Sequence, residues 1–486
     1  MSDAELKQTQ EGGSGRLQGS LGPLAIVFIV VAAAAPLTIM VSTPTNMANA
    51  NGAGMSATYF VAPMLLLLFA GGFAAMSRYV PKAGAFYSYV AAALGRSIGV
   101  GAGFTAMGGY FIFQSFVYTL MGLTINETLV SFFGENAVTL PWYVWVFLMI
   151  ALVGWLGYQE VDVNAKVLAI VLLLEVLVIM VINVAVVARG GGPEGISLTG
   201  HLAPDVLFSA PIAISLLIGF SVGLGFEATA LFRDEARDPE RTIPRAIYIT
   251  LISAAVFYSI STWALAQAWG TRGISELLAQ EPDRQFSLFY ETADIWVGSV
   301  FSQSVQLLAI TSMFACVLAY HNIIARYLHS MGHSVLPLQL TYVHADHKSP
   351  YIASLVTSVG GVLITLAWLS TGLDPYVFIG WEIAVGTLSV LIVFVLTSLA
   401  IFVFFRRHPD LDRRLWVTGI APILSFAVLA VIMVTAMLNF SSLSGAADAR
   451  VLNTVLMLIP PALFCLGVVT AQVAKRRDPD RFQGIV

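Results

Sequence analysis

The chain of 486 residues is 58% hydrophobic and only 11% charged, with a formal net charge of −4 and a mean hydropathy of +0.83. Soluble domains carry about 25% charged residues, so this composition excludes an ordinary soluble globular protein and points to an all-α integral membrane protein. The charge balance offers no basis for nucleic-acid binding, and two cysteines, Cys316 and Cys465, both in apolar runs, support neither a disulfide framework nor a Cys-rich metal site.

In chain order, residues 1–20 are polar and rich in Gly, Ser and Gln, as a disordered cytoplasmic tail would be. A cleaved signal peptide is not expected, because the basic region is weak and the apolar run continues into further spans. At about 20 apolar residues per span, helices are predicted near 22–50 (broken), 56–77, 97–129, 141–157, 163–188, 206–232 (broken), 243–268, 297–328, 350–370, 376–404, 415–438 and 451–474. This makes about twelve transmembrane helices and leaves no separate soluble domain. Between 269 and 296, Ile274–Leu278 and Phe286–Tyr290 suggest short surface helices. Both cysteines are expected to be buried, inert thiols.

Two spans are interrupted. In the first, Pro36 and Pro44 each remove a helical hydrogen bond inside an apolar run. In the sixth, Gly219, Gly223 and Gly225 precede a carboxylate, Glu227, that is still within the apolar part. Lipid offers no water to satisfy freed backbone groups, so unwound backbone at membrane depth must line a protein cavity. A carboxylate there costs on the order of 2.5–3.5 kcal/mol on insertion scales and should face that cavity. Interrupted helices in corresponding positions of two halves mark the binding site of a transporter. Lys and Arg set the orientation: with the first tail cytoplasmic, that side receives all 24 of them except Arg189, Arg272, Arg284 and Arg450. Both termini are then cytoplasmic, and the two broken helices run in opposite directions, five spans apart.

Three stretches carry a family resemblance: Gly225-Phe-Glu227 with Arg233–Ala246, Pro81-Lys-Ala-Gly-Ala-Phe-Tyr87 with Leu94-Gly95, and Arg326–Pro337 with Val343-His344 and Ser349-Pro350. In sequence, order and spacing they resemble the amino acid-polyamine-organocation (APC) superfamily of permeases, over nearly the whole chain. The resemblance implies the leucine-transporter fold: a five-plus-five inverted repeat with broken helices 1 and 6. The first repeat would occupy 21–190 (helices 1–5), the second 205–405 (helices 6–10), helices 11 and 12 residues 414–475, and a cytoplasmic tail 476–486. Amino acid-binding members usually break helix 1 with Gly-Ser/Ala-Gly-Ile, whose exposed N–H groups hold the substrate carboxylate. The matching place here reads Ala34-Ala-Pro-Leu-Thr38, which leaves an amino acid and a simple amine both open.

The expected substrate site comprises Ala34, Ala35, Pro36, Leu37 and Thr38 at the first break, and Phe220, Ser221, Gly223, Gly225 and Phe226 at the second. Tyr110 and Gln114 join them from helix 3, near Phe113. The aromatic rings among these either gate a cavity or merely pack. Glu227 matches the family's helix-6 acid and is either a proton-sensitive latch, an amine contact, or a carboxylate satisfied by backbone N–H groups. Glu175 falls where many proton-coupled relatives place a lysine, and is either a proton carrier or a hydrogen-bonded packing residue. Glu382 has a cavity role or a helix-start role. His329, His333, His344 and His347 read as a solvated cytoplasmic loop and not as a metal site, for no Cys or acidic pair completes one. The charges at 233–245 are expected to close the cytoplasmic end of helix 6 through Arg–carboxylate pairs.

These features lead to the expectation of a secondary transporter for an amino acid or related organic amine, coupled to protons and working by alternating access in the cytoplasmic membrane. No cofactor or metal is expected, and no nucleotide-binding Gly-rich loop is present, so neither an enzyme nor an ATP-driven pump is expected. An amine or polyamine carrier, or a substrate exchanger, is the alternative within transport. A membrane sensor that binds ligand without moving it is the alternative outside it.

Overall fold

The computed structural model describes residues 22–80, 85–159, 165–227, 229, 236–344, 349–444 and 450–485, without the side chains of 25, 29, 32–34, 85, 165–169, 442 and 443. The motif residues Pro81–Gly84, the charges Arg233–Glu235 and His347 therefore lie outside the described residues. Among those described, the fold is all-helical.

Sixteen helices organise it, labelled in chain order: α1 (Pro23–Ala34), α2 (Pro36–Ala48), α3 (Met55–Met76), α4 (Ala85–Leu94), α5 (Arg96–Phe133), α6 (Trp142–Gln159), α7 (Ala165–Ala188), α8 (Ile212–Gly219), α9 (Pro239–Trp269), α10 (Gly273–Gln280), α11 (Leu288–Trp296), α12 (Ser299–Gly332), α13 (Tyr351–Thr371), α14 (Pro375–Arg407), α15 (Ala421–Leu438) and α16 (Arg450–Arg477). Ten helical segments among the described residues are long and apolar enough to cross a bilayer. α10 and α11 are the short helices expected between residues 269 and 296.

Local chemistry sets several boundaries. α14 starts where the Asp374 carboxylate accepts the Tyr376 N–H at 2.9 Å, with Pro375 in the first turn, and ends on Arg406 and Arg407. Acceptor first, cations last is the arrangement the helix dipole favours. α14 is the most enclosed of the ten spans and packs against α3, α4, α5, α15 and α16.

Burial runs opposite to that of a water-soluble bundle. On α7, Leu173, Leu177 and Val184 are 58%, 57% and 60% exposed, whereas Glu175, Ile179, Ile182 and Val186 point inward at helical spacing. Hydrocarbon solvates those leucines, and the carboxylate takes the protein-facing stripe. Cys316 is buried as expected, but Cys465 on α16 is exposed on this outer surface. Apolar surroundings in sequence do not distinguish core from lipid contact.

Residues 476–485, within the stretch read as a cytoplasmic tail, include a short docked helix. α16 runs to Arg477, and Pro479–Gln483 form a further helical turn in which Asp478 accepts the Arg481 N–H at 3.1 Å. Phe482 and Ile485 are buried, and the Arg481 guanidinium donates to the carbonyls of Gly332, His333 and Leu336 at the end of α12.

Candidate functional site

The first interruption falls on Ala35, the last residue before α2. Its φ of 51° and ψ of 77° place it in the left-handed region, and among the described residues it is the one non-glycine with positive φ. An L-residue pays roughly 1–2 kcal/mol there. Pro36 follows with no N–H to give, and regular bonding resumes with Ile39 donating to the Ala35 carbonyl at 3.2 Å. Leu37 is thereby left with a free N–H, which donates to Glu175 Oε2 at 3.1 Å. Ser312 Oγ of α12 donates to the same oxygen at 2.9 Å, and Thr38 Oγ1 donates to Ser312 Oγ at 3.1 Å. Ala35, Pro36, Leu37 and Thr38 are all buried, Ala34 closes α1, and the Ala34 side chain lies outside the described residues.

The second interruption begins as α8 tightens into a 3₁₀ turn, Phe220–Gly223. Leu224 is extended, with φ −63° and ψ 148°, and Gly225 has φ 97°. The glycines serve different ends. A Cβ on Gly219 would come within 2.8 Å of Thr58 Cγ2, and one on Gly223 within 2.8 Å of Leu66 Cδ1, so both permit close approach to α3. A Cβ on Gly225 would meet nothing within 4 Å, and only its backbone conformation demands glycine. Beyond it, Glu227 accepts the Gly225 N–H at 3.0 Å on one carboxylate oxygen and the Tyr110 hydroxyl at 2.6 Å on the other.

The remaining expected site residues separate by role. Tyr110 lies with Phe113 and two tyrosines of α12: its ring is 6.1 Å from Tyr320 and 6.0 Å from Tyr327, and Phe113 stacks on Tyr320 at 6.2 Å. Gln114 Nε2 donates to the Val317 carbonyl of α12 at 3.1 Å. Phe226 is packed among Phe69, Phe73 and Phe394 at 5.9–6.2 Å, and Phe220 is likewise buried. Ser221 is half-buried, and its carbonyl accepts the Leu224 N–H at 3.3 Å.

α12 therefore joins the two breaks. Ser312, Cys316 and Tyr320 recur every four residues on one of its faces, with Ser312 on the Glu175 network and Tyr320 beside Tyr110. The sequence reading missed Ser312, Tyr320 and Tyr327; the polar spacing of four within an apolar helix was the available signal. It also missed His321, which is buried with Nε2 2.8 Å from Ser354 Oγ.

Glu382 does not sit at a helix start, where Asp374 does the capping. It lies buried in α14, and its Oε1 accepts Ser115 Oγ at 2.5 Å and Trp368 Nε1 at 2.8 Å, while Oε2 has no hydrogen-bond partner. The described part of 233–245 holds an exposed Arg241–Asp238 pair at 3.7 Å, and Arg78 donates to the Glu240 carbonyl at 3.1 Å. His329 and His333 lie with ring centroids 5.0 Å apart, and His329 Nδ1 is 3.2 Å from the Leu340 carbonyl oxygen.

Comparison with known proteins bears on this arrangement. The family model "Amino acid permease" matches residues 25–483. The chain is 25% identical to the branched-chain amino acid permease BcaP of Bacillus subtilis, over 86% of this chain and 87% of that protein. It is 23% identical to the low-affinity putrescine importer PlaP of Escherichia coli K12, over 63% of this chain and 65% of PlaP. It is also 23% identical to the methylthioribose transporter of B. subtilis, over 80% and 82% of the two chains. The match over nearly the whole length, to a chain with ten candidate spans and interrupted helices, places this protein in the amino acid permease family: it is a multi-pass membrane transporter and not an enzyme.

Proposed function

We propose that the protein is a proton-coupled secondary transporter of an amino acid or related organic amine, working by alternating access about its two interrupted helices. The observation that carries this reading is the pairing of each interruption with a buried carboxylate: Leu37 N–H with Glu175, and Gly225 N–H with Glu227. Half-helix ends at membrane depth are where such transporters hold substrate and coupling ions. A buried carboxylate that bonds the break itself can gain or lose a proton only by altering the contacts that hold the break. α12, which touches both networks, is the element through which one would sense the other.

The α1/α2 pair and the α8 segment with its 3₁₀ turn, added to the ten uninterrupted candidates, make twelve spans. Four spans lie between the two breaks, so that they fall in the first and sixth spans as a five-plus-five inverted repeat requires, and the distribution of Lys and Arg supports cytoplasmic termini. Relatives named for branched-chain amino acids, putrescine and methylthioribose support a small organic solute as cargo.

The test is uptake of radiolabelled amino acids and amines into proteoliposomes, with an inward proton gradient imposed and then collapsed by an uncoupler. Concentrative uptake that disappears with the gradient is the expected result. Flux only from preloaded vesicles would replace symport with exchange. Ligand binding without flux would identify a sensor.

A further inference from the structure

We propose that the solute this site selects is an organic amine bearing a positive charge and no carboxylate. The inference rests on the transport reading above and narrows its substrate class.

The first ground is the inventory of buried charge. Glu175, Glu227 and Glu382 are 2%, 2% and 1% exposed, while no Lys or Arg among the described side chains is buried. The remaining buried basic group, His321, has its Nε2 at Ser354 on α13. A carboxylate brought into this interior would approach three acids, with no guanidinium or ammonium among the described side chains buried beside them. Burying a charge without a partner is among the most costly events in a protein interior. An ammonium meets the opposite conditions.

The second ground is the state of the helix breaks. A free helix N-terminus can hold a substrate carboxylate through its exposed N–H groups. Here Pro36 has no N–H, and the next one, on Leu37, is already bonded to Glu175 at 3.1 Å. At the other break the Gly225 N–H is bonded to Glu227 at 3.0 Å. The protein's own carboxylates thus occupy one backbone donor at each interruption, the Leu37 N–H at the first and the Gly225 N–H at the second.

The third ground is independent of the acids. Tyr110, Phe113, Tyr320 and Tyr327 form one aromatic group beside Glu227, with centroid separations of 6.0–6.2 Å. Aromatic faces attract ammonium groups and do nothing for a carboxylate.

The experiment compares amino acids with the amines left when their carboxylate is removed: leucine with 3-methylbutylamine, and ornithine with putrescine. Uptake by the full-length wild-type chain in proteoliposomes is read at equal sub-saturating concentrations, alongside the thermal shift each compound gives the purified protein. Each amine is expected to enter about tenfold or more faster than its parent amino acid, and to give the larger shift. Faster entry of the amino acids would overturn the inference while leaving the transport reading intact. If nothing crosses, the transport reading fails, and the thermal shift decides the inference by itself: a shift with amines alone supports it, and a shift with the amino acids, or with neither, overturns it. Glu175→Ala supplies a second readout by freeing the Leu37 N–H. The ratio of amine to amino acid affinity should fall by about tenfold in this variant, and an unchanged ratio would remove the first break from selectivity.

Discussion

Leu37, on the second residue of α2, gives its backbone N–H to the carboxylate of Glu175 at 3.1 Å, across 138 residues of sequence. Gly225 does the same for Glu227 at 3.0 Å within a two-residue turn. Hydrogen bonds to charged groups contribute about 1.5–3 kcal/mol each, so both interruptions are held open by groups that protonation can change. A break in a membrane helix is tolerable only when its freed backbone groups find partners, and these carboxylates supply them.

The Tyr110 hydroxyl is the other donor to Glu227, at 2.6 Å. Tyr110→Phe keeps the ring and its aromatic neighbours but leaves a buried carboxylate oxygen unmet. Uptake should fall about tenfold or more, equivalent to about 1.4 kcal/mol, with the folded protein still recovered by size-exclusion chromatography. Uptake within about twofold of wild type would show that this bond has no part in transport.

Ala35 tests the first break as a backbone feature. With φ at 51°, glycine suits the position better than alanine, and a β-branched residue suits it worse. Ala35→Gly should be more thermostable than Ala35→Val by roughly 1–2 kcal/mol. The reverse order in a thermal melt would mean that the left-handed conformation does not persist in solution.

Arg481 fastens the docked C-terminal turn, donating to Leu336 O at 2.8 Å and to the carbonyls of Gly332 and His333. In Arg481→Ala the end of α12 loses these caps, and Phe482 and Ile485 should leave their buried positions. Limited proteolysis of residues 478–485 should accelerate about tenfold. An unchanged cleavage rate would show that the two apolar side chains hold the segment alone.

One pH effect can be signed outside the membrane. The Arg414 guanidinium, hydrogen-bonded to Asp412 at 2.6–3.2 Å, holds that carboxyl below its ordinary value of 3.8. A carboxylate with a depressed folded value stabilises the fold above its unfolded value, and the contribution is lost as pH falls below it. Asp412→Asn should therefore lower the melting midpoint slightly at pH 7, and the difference from wild type should shrink below about pH 4. Added salt should shrink it at every pH. A difference that grows in acid would contradict the pairing.

Legibility differed between fold and site. The interrupted helices could be read from Pro36 and Gly225, which act through local backbone chemistry, whereas Gly219 and Gly223, which flagged the same stretch, serve close packing on α3. Span positions followed from apolar run length alone. The partners of the carboxylates were not legible: Glu175 meets Leu37 and Ser312, and Glu382 meets Ser115 and Trp368, through contacts between helices distant in sequence. Nor could the sequence distinguish Phe226, held in an aromatic cluster with Phe69 and Phe394, from a ring that lines a cavity. The docking of Arg481 on α12 escaped because a short charged terminus resembles any solvated tail until its hydrogen-bond acceptors are known.

The central claim is that the carboxylate at the first break carries the coupling proton, and Glu175→Gln tests it most directly. Glutamine keeps an acceptor for the Leu37 N–H but cannot ionise. In proteoliposomes the variant should lose uptake driven by an inward proton gradient while still exchanging substrate between preloaded vesicles and the medium. Gradient-driven uptake equal to that of wild type would contradict the account and remove Glu175 from the coupling mechanism.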